Sequence, residues 1–379
     1  MERSAHPRFA HFDFWLVGAT LLLIVIGVAM IYSATACITG ESLDWQSPAL
    51  RQVIYAIPGL IGMAFFTAID YRVWGALRWL IWGGMVGSLA IIFVIGQLLH
   101  GATRWIDFGF FLFQPSELSK LLAILVVAKF MADREEQMAR WRNLGASFAL
   151  VAIPMALIYI QPDLGTTIVL GATWGMMALS AGMRWRDVLL IVAIFLVAAV
   201  PIFQNLRPYQ QDRILTFLDP ARDPLGSGYN VTQARIAIGA GGLWGVGYCS
   251  GTQSQLRFLR IRHTDFIFSV IGEELGFIGA LFVLALIIFI LWRLVRAAQL
   301  ARTPYGKLLA LGIAAVIFIQ SWINLAMNLG LLPVVGVPLP FVSSGGSSLI
   351  TLLSSLGIAQ SVLLRHSGLQ LEGSGGKYA

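Results

Sequence analysis

The chain has 379 residues, of which 58% are hydrophobic and only 12% are charged, and its mean hydropathy is +0.78. The apolar residues fall in runs too long for the core of a soluble domain, so the composition excludes a soluble enzyme and indicates a polytopic membrane protein. The net charge of +7 comes largely from basic loops, and without a nucleic-acid-binding motif we expect no nucleic-acid partner.

Ten apolar runs are each close to the roughly 20 residues that cross a bilayer as a helix. They cover residues 14–34, 52–69, 77–98, 115–131, 147–160, 165–182, 188–204, 266–292, 307–329 and 346–364, each approximately. The predicted fold class is therefore an all-α polytopic membrane protein of about ten transmembrane helices, forming one domain over residues 1–370. The tail 371–379 resembles an engineered linker or tag remnant.

A long loop, about 205–264, separates the seventh and eighth runs. We expect it to contain short or re-entrant segments, because residues 236–247 are too rich in glycine for a regular helix.

Lysine and arginine in the short loops predict the orientation. If the N-terminus is inside, basic clusters at 3–8, 72–78, 129–142, 184–186 and 293–307 fall on the cytoplasmic side. The short outer loops then hold only Arg51 and Arg104. Both termini are therefore expected in the cytoplasm and the long loop outside, since a loop of that length translocates largely regardless of its charge.

The two cysteines, Cys37 and Cys249, both fall on the predicted outer side, where a disulfide can persist. Cysteine at the end of a span is also a common small apolar residue. The sequence leaves open whether the two are bridged.

Three outer segments stand out from the apolar background because they are rich in Gly, Pro or Ser: 101–116, 205–264 and 332–348. Irregular backbone at membrane depth is tolerated only where protein buries it or a cavity solvates it. We therefore expect the three segments to frame one outward-facing polar cavity.

The first segment and the helix after it contain four candidate site residues. Arg104 and Trp105 place a cation beside an amphipathic ring, either as interfacial belt residues or as a platform for a sugar or pyrophosphate. Glu117 and Lys120 lie three apart on one face of a helix that Pro115 begins. An internal ion pair that anchors the bundle and a direct catalytic role both remain open for them.

Asp163 lies in a very short outer turn between the fifth and sixth spans. It is well placed to cap the helix that follows, and contact with a ligand is an equal alternative.

The long loop holds seven arginines and no lysine, against three aspartates. The planar fork of arginine suits phosphate oxygens, so this bias favours a phosphorylated substrate. A solvated surface role remains open for each arginine. The candidates for a pyrophosphate contact are Arg213, Arg257 and Arg262.

Asp265, at the mouth of the eighth span, is the strongest candidate for chemistry. An ionisable group beside the hydrocarbon layer is costly and therefore indicates function, and His263, Thr264 and Glu273 add polarity there. Asp265 and Glu273 are eight residues apart, about 80° around a helix, so both could face one cavity. Burial would raise the pKa of Asp265 and nearby Arg262 would lower it, which suits a tunable general base. Capping of the span is the structural alternative.

Ser343 and Ser344 belong to a Ser-Gly run that precedes the tenth span. Small residues at a helix N-terminus can cradle a phosphate, although capping with close packing is the commoner use.

At these residues the chain resembles the SEDS family of bacterial membrane proteins (shape, elongation, division and sporulation), and most closely its elongation members. The matching stretches, in family order, are GATRWIDFG at 101–109, FQPSELSK at 113–120, QPDLGT at 161–166, LDPARDPLGSGYN at 218–230, AIGAGGLWGVG at 237–247, GTQSQLRFLRIRHTDFIFSVIGEELG at 251–276 and PVVGVPLPFVSSGGSS at 333–348.

The resemblance implies a ten-helix peptidoglycan glycosyltransferase that polymerises lipid II on the outer face of the bacterial cytoplasmic (inner) membrane. It implies that Asp265 is the family's essential aspartate, that Glu117 and Lys120 belong to a central polar network, and that Trp105 is a functionally sensitive aromatic. The implied partners are a class B penicillin-binding protein transpeptidase and other membrane proteins of the elongation complex.

The implied reaction joins the 4-hydroxyl of one lipid II's GlcNAc to the anomeric carbon of another's MurNAc and expels undecaprenyl pyrophosphate with inversion. Such a displacement needs a base and charge stabilisation of the leaving group. Asp265 fits the first role, and loop arginines, alone or with a divalent cation (Mg²⁺ or Mn²⁺), fit the second.

The chain departs from the family pattern at two places. Arg260-Ile261 replace the usual Pro-Glu, so a second acidic group near Asp265 that could bridge a metal is missing. Ser344 replaces a tyrosine, so a hydroxyphenyl contact is missing there.

Two rival functions are a lipid II flippase and a non-catalytic scaffold for a class B penicillin-binding protein. The number of spans and the intramembrane charges are compatible with a flippase, but a flippase needs polar groups along the whole crossing path. The inner halves of the spans are apolar, so the outer cluster favours the enzyme.

Overall fold

The computed structural model describes residues 11–37, 44–45, 47–95, 97–99, 102–107, 112–204, 206, 208–219, 227–256, 258–259 and 262–366. The candidate Arg257, the Arg260-Ile261 substitution and the tail 371–379 lie outside these residues.

The described residues are mostly helical. The helices are α1 (Phe14–Ala36), α2 (Pro48–Ala68), α3 (Tyr71–Ala76), α4 (Arg78–Ile95), α5 (Pro115–Ala132), α6 (Trp141–Ile160), α7 (Leu164–Ser180), α8 (Trp185–Gln204), α9 (Pro208–Leu218), α10 (Ser227–Ala240), α11 (Thr252–Gln255), α12 (Ile267–Glu274), α13 (Gly276–Leu300), α14 (Pro304–Asn328) and α15 (Gly346–Leu364).

Several of these helices start where local chemistry dictates. Pro48, Pro115 and Pro304 occupy the first turns of α2, α5 and α14, where the missing amide proton has no cost. The Thr303 hydroxyl accepts the amide of Gly306 at 3.0 Å and so caps α14.

Within the described residues, six helices are long and apolar enough to cross a membrane: α1, α2, α6, α13, α14 and α15. Each predicted apolar run overlaps a helix. Two further apolar helices, 78–94 and Leu164–Ser180, are shorter.

Helices α14 and α15 form the centre of the bundle, because they are the most deeply buried of the long apolar helices. Helix α15 lies against α2 through small residues. A Cβ at Gly357 would lie 2.4 Å from the Met63 carbonyl oxygen, so only glycine permits this approach. The outer surfaces of α1 and α8 instead expose large apolar side chains such as Trp15 and Val197, as lipid-facing helices do.

The eighth predicted span is not one continuous helix, which corrects the sequence-based expectation. The helix is interrupted at Gly276, whose φ is +68°, and the two parts are α12 and α13. The amide of Val246 donates to the Glu273 carbonyl at 3.0 Å, and the amide of Phe277 donates to the Gly242 carbonyl at 2.9 Å. The glycine-rich turn 241–247 thus pairs backbone groups that the break would leave unsatisfied.

The long loop contains three short helices, α9, α10 and α11. Residues 236–240 complete α10, so the expectation that all of 236–247 avoids helix is wrong for its first five residues. Only the part from Gly241 onward forms the turn.

A small antiparallel sheet also departs from the all-α prediction. Strands β1 (Gln97–Leu99), β2 (Ala102–Asp107) and β3 (Leu112–Phe113) pair in the order β1-β2-β3, with Ile106 opposite Phe113. The pairing satisfies backbone groups of a segment that reads as irregular in the sequence.

Cys37, at the end of α1, forms a disulfide with Cys249 of the long loop, with the two Cα atoms 5.8 Å apart. The question that the sequence left open is thereby answered. The bridge joins residues 212 positions apart and fixes the long loop to the first helix.

We expect the Cys37→Ser/Cys249→Ser variant to lose about 2 to 4 kcal/mol of unfolding free energy, because the bridge restricts the unfolded chain. Thermal unfolding in detergent with and without reductant measures this. Reductant should lower the midpoint of the parent and leave that of the double variant unchanged. Two titratable thiols in the native, unreduced parent would contradict the bridge.

Candidate active site

Asp265 lies in a turn at 262–266, outside the membrane-spanning helices and just before α12. The N-cap of α12 is Phe266, and no side chain caps that helix. The alternative that Asp265 caps this span is therefore wrong.

The backbone of this turn is held by side chains from distant segments. The Asp265 carbonyl accepts the amide nitrogens of Asn324 at 3.1 Å and Asn328 at 2.9 Å. The Thr264 carbonyl accepts the Ser343 hydroxyl at 2.6 Å, and the His263 carbonyl accepts the backbone amide of Ser344 at 3.0 Å. Three consecutive carbonyls are thus fixed, so the Asp265 side chain projects from a preorganised backbone.

Sequence reasoning missed Asn324 and Asn328, which are fully buried on α14. Asn328 also accepts the amide of Ser269 at 3.2 Å and its hydroxyl at 2.7 Å, and so ties α14 to α12. A signal was present, because Gln320, Asn324 and Asn328 recur every fourth residue on one face of an otherwise apolar helix.

Asp265 as a residue is partly exposed, but burial of its carboxyl group raises the pKa of that group from 3.8 to about 6. Burial is the main cause, and it outweighs the positive charge of Arg213 and a hydrogen bond from Thr264, both of which lower the pKa. Gly336, at φ +72°, lies next to the carboxylate, where a Cβ would be in ordinary van der Waals contact at 3.6 Å from Oδ2. The group therefore exchanges its proton near neutral pH.

The two described candidate arginines have different surroundings. Arg213 Nη1 donates to the Val334 carbonyl at 3.1 Å, and its charge acts on Asp265. Arg262 donates to the carbonyls of Ala34 and Leu259, which holds the turn against α1. Together with burial, its charge lowers the pKa of His263.

Glu273 does not open onto a cavity shared with Asp265, contrary to expectation. Its carboxylate is fully buried and accepts the backbone amides of Gln253 at 2.7 Å and Ser254 at 3.1 Å. Helical spacing does not place Asp265 and Glu273 on one face, because Asp265 precedes the helix. Glu273 instead stabilises the N-terminus of α11.

Glu117 and Lys120 form a buried ion pair on α5, with Nζ 2.7 Å from Oε2. The side chains are only 7% and 3% exposed, respectively. The interpretation of an internal ion pair is confirmed.

Arg104 and Asp163 each bind backbone groups at the short turn between α6 and α7. Arg104 Nε donates to the Gln161 carbonyl at 2.9 Å, and Asp163 Oδ1 accepts the Thr166 amide at 3.1 Å. The capping role of Asp163 is confirmed. Trp105 lies half-buried on β2, opposite Gln97 of β1.

The Ser-Gly run is occupied by contacts within the protein. The Ser343 hydroxyl, besides donating to Thr264, accepts the Leu339 amide at 2.8 Å, and buried Gln52 donates to the Ser343 carbonyl at 3.1 Å. No side chain caps α15, whose N-cap is Gly345. The run therefore packs closely and positions the Asp265 turn.

The three polar segments contact one another, while the outward-facing cavity that they are expected to frame stays a prediction. Ser347 Oγ accepts the Gln114 amide at 3.0 Å, which joins the first segment to the third. The second segment contacts the third through the carbonyls of His263, Thr264 and Val334.

A divalent cation finds no ready-made site among the described residues. No group of three or more His, Cys, Asp or Glu side chains is arranged there to hold a metal ion. Among the residues that the structure describes, the charge that acts on Asp265 is that of Arg213 and not that of a second carboxylate, so these residues do not fit a bridged metal.

We expect Asn328→Ala to lower the turnover rate about tenfold while leaving the Michaelis constant for the substrate nearly unchanged. The reason is that it frees the Asp265 backbone without removing a charged group. Asn143→Ala is the matched control, since its side chain bonds the Gln137 carbonyl on an exposed turn. Equal turnover by the two variants would show that Asn328 has no positioning role.

The chain matches known proteins over most of its length. The family of cell cycle proteins that comprises FtsW, RodA and SpoVE matches residues 14–367. The peptidoglycan glycosyltransferase MrdB of Escherichia coli K12 is 39% identical over 355 residues, which are 93% of this chain and 93% of MrdB.

Two solved structures share the fold. One chain, from "Structural coordination of polymerization and crosslinking by a peptidoglycan synthase complex", has a TM-score of 0.81 at 30% identity, covering 95% of this chain and 99% of that one. The rod shape determining protein RodA of Thermus thermophilus has a TM-score of 0.69 at 28% identity, covering 95% and 98%. The chain therefore belongs to the FtsW/RodA/SpoVE family, the SEDS family that its motifs resemble.

Proposed function

We propose that this chain is a RodA-like peptidoglycan glycosyltransferase that polymerises lipid II into glycan strands. The observation that carries this proposal is the Asp265 turn, where a carboxyl group of pKa about 6 projects from a fixed backbone beside Arg213. The peptidoglycan glycosyltransferase activity named for relatives such as MrdB supports it.

In this reaction Asp265 accepts the proton of the acceptor sugar's 4-hydroxyl as the oxygen attacks the anomeric carbon of the donor. The bond to the lipid diphosphate breaks on the opposite face, so the anomeric configuration inverts. A base with a pKa near the working pH is both deprotonated and strong enough to accept this proton.

We propose ten membrane crossings, formed by α1, α2, α4, α5, α6, α7, α8, α13, α14 and α15. Both termini then lie in the cytoplasm, and the Asp265 turn lies outside the inner membrane. The Cys37–Cys249 bridge supports this orientation, because disulfides persist in the oxidising compartment on that side.

A class B penicillin-binding protein is the proposed partner. The structure "Structural coordination of polymerization and crosslinking by a peptidoglycan synthase complex", which contains a chain with this fold, supports an association of this kind.

The test is to incubate the purified protein with lipid II and to resolve the products on a gel. A ladder of glycan chains is the expected result. Transfer of labelled lipid II across liposomes without any polymer would support the flippase instead. Neither polymer nor transfer, alone or with the transpeptidase, would support a scaffold.

A further inference from the structure

A pocket of about 60 Å³ lies between α9, α10 and the segment after α14. A single water needs roughly 10 to 15 Å³, so the pocket has room for a group several times larger than one water. Two arginines line it, Arg213 from α9 and Arg235 from α10.

The charge of the pocket is one-sided. Among the described residues that line it, none is acidic, and the only polar side chain besides the arginines is Thr216. Both guanidinium groups line one small cavity, and their planar forks match phosphate oxygens.

The remaining wall is apolar and includes Phe217, Val231 and Val334. Burial of a hydrocarbon chain against such a wall gives favourable free energy, and a free inorganic anion has no hydrocarbon to bury. The lining therefore selects an amphiphile with a phosphorylated head.

Both arginines are positioned by the protein. Arg213 bonds the Val334 carbonyl, and the stem of Arg235 packs on Gly330, where a Cβ would lie 3.0 Å from Arg235 Cδ. Gly330 has φ +71°, so the chain turns tightly to present this surface. The charge of Arg213 also reaches Asp265.

We propose that Arg213 and Arg235 form the subsite for the diphosphate of the lipid-linked donor, an assignment that rests on the proposed glycosyltransferase function. When the acceptor oxygen bonds the anomeric carbon, the bond from that carbon to the diphosphate oxygen breaks. The electron pair stays on the diphosphate, and the acceptor proton passes to Asp265. The two guanidinium groups offset the negative charge that develops on the leaving group.

Binding can be measured without turnover by calorimetry in detergent, using farnesyl diphosphate, farnesyl monophosphate and inorganic pyrophosphate as probes. Titration into protein-free micelles provides the blank. We expect the diphosphate to bind at least tenfold more tightly than the monophosphate, and inorganic pyrophosphate to bind more weakly than the farnesyl ester. Arg213→Lys and Arg235→Lys should each weaken diphosphate binding about tenfold, since an ammonium cannot reproduce the fork.

Arg51→Lys is the matched control, because Arg51 is an exposed arginine of α2 that does not line the pocket. The affinity of this variant for farnesyl diphosphate should equal that of the parent. Arg235→Lys is the more informative variant, since Arg235 is exposed and we expect its replacement to leave the fold intact. Unchanged diphosphate affinity in Arg235→Lys, or equal affinity for the monophosphate, would overturn the subsite and leave the polymerase assignment standing. The parent could instead bind the diphosphate, lose that binding on Arg→Lys substitution, and yet make no polymer. That result would support the subsite and count against the polymerase assignment.

Discussion

Replacing Asp265 with Asn is expected to lower the rate of glycan polymerisation by about 10² to 10⁴-fold while the protein stays folded. The amide keeps the size of the side chain but cannot accept the proton of the acceptor hydroxyl. Gel-resolved glycan chains from matched amounts of protein measure the effect. Parental rates from the Asn variant would remove Asp265 from the role of base.

The same carboxyl group should set the acid limb of the pH profile. Because its pKa is about 6, polymerisation by the parent should fall about tenfold for each pH unit below that value. A profile that stays flat to pH 4.5, with the fold intact by circular dichroism, would be inconsistent with this base.

Stability should change in the opposite direction to activity. Since the folded pKa of Asp265 is raised, the folded state holds its proton more tightly than the unfolded chain does, and stability falls as pH rises from about 4 to about 6. The Asn variant avoids this loss and should be more stable at pH 7 by on the order of 1 to 3 kcal/mol. The gain should shrink as the pH is lowered toward 4, which distinguishes it from a general packing effect.

The second large effect is expected at the buried ion pair of α5. Glu117→Gln or Lys120→Met alone should lower the unfolding free energy by about 3 to 5 kcal/mol, because each leaves a buried charge without its partner. The double variant should lose less than the sum of the two single losses. Thermal unfolding in detergent gives all four midpoints.

A matched control lies on the same helix. Lys129 and Asp133 pair at a site where each side chain is about a third exposed, so breaking that pair should change stability by no more than about 1 kcal/mol. Strict additivity of the Glu117 and Lys120 changes would mean that the two charges stabilise the bundle independently.

Local features of the fold could be predicted from the sequence. The Glu117–Lys120 pair and the Asp163 cap are contacts within four residues, and helical spacing alone brings those groups together. Asp265 was identifiable because a carboxylate at the mouth of a span is costly and rarely accidental.

The contacts that hold Asp265 were not predictable in the same way. Asn328 bonds a carbonyl 63 residues away, and Gln52 bonds one 291 residues away. Hydropathy and periodicity carry no information about which distant polar groups meet. The small sheet was missed for a related reason, since its strands have two to six residues and depend on their pairing.

The break at Gly276 was missed because the apolar stretches 266–271 and 277–292 dominate a hydropathy average, although Glu273 and Glu274 directly precede the break. A hydropathy average cannot distinguish one long helix from two when the residues that allow the break, 241–247, lie about thirty positions earlier in the chain.

Because the helix is interrupted at Gly276, the turn 241–247 and the residues 273–278 depend on each other and can be exchanged between relatives only together. Each supplies the backbone donors and acceptors that the other lacks, through four main-chain hydrogen bonds between them. A chimaera that takes the turn from one relative and the broken helix from another keeps these bonds only if the two backbones match, and otherwise leaves bare peptide groups beside lipid. The two stretches also form within one short interval of synthesis, whereas the disulfide to α1 must wait for a residue made 212 positions later. Recombination between relatives should therefore place its crossover points outside 241–278 rather than within it.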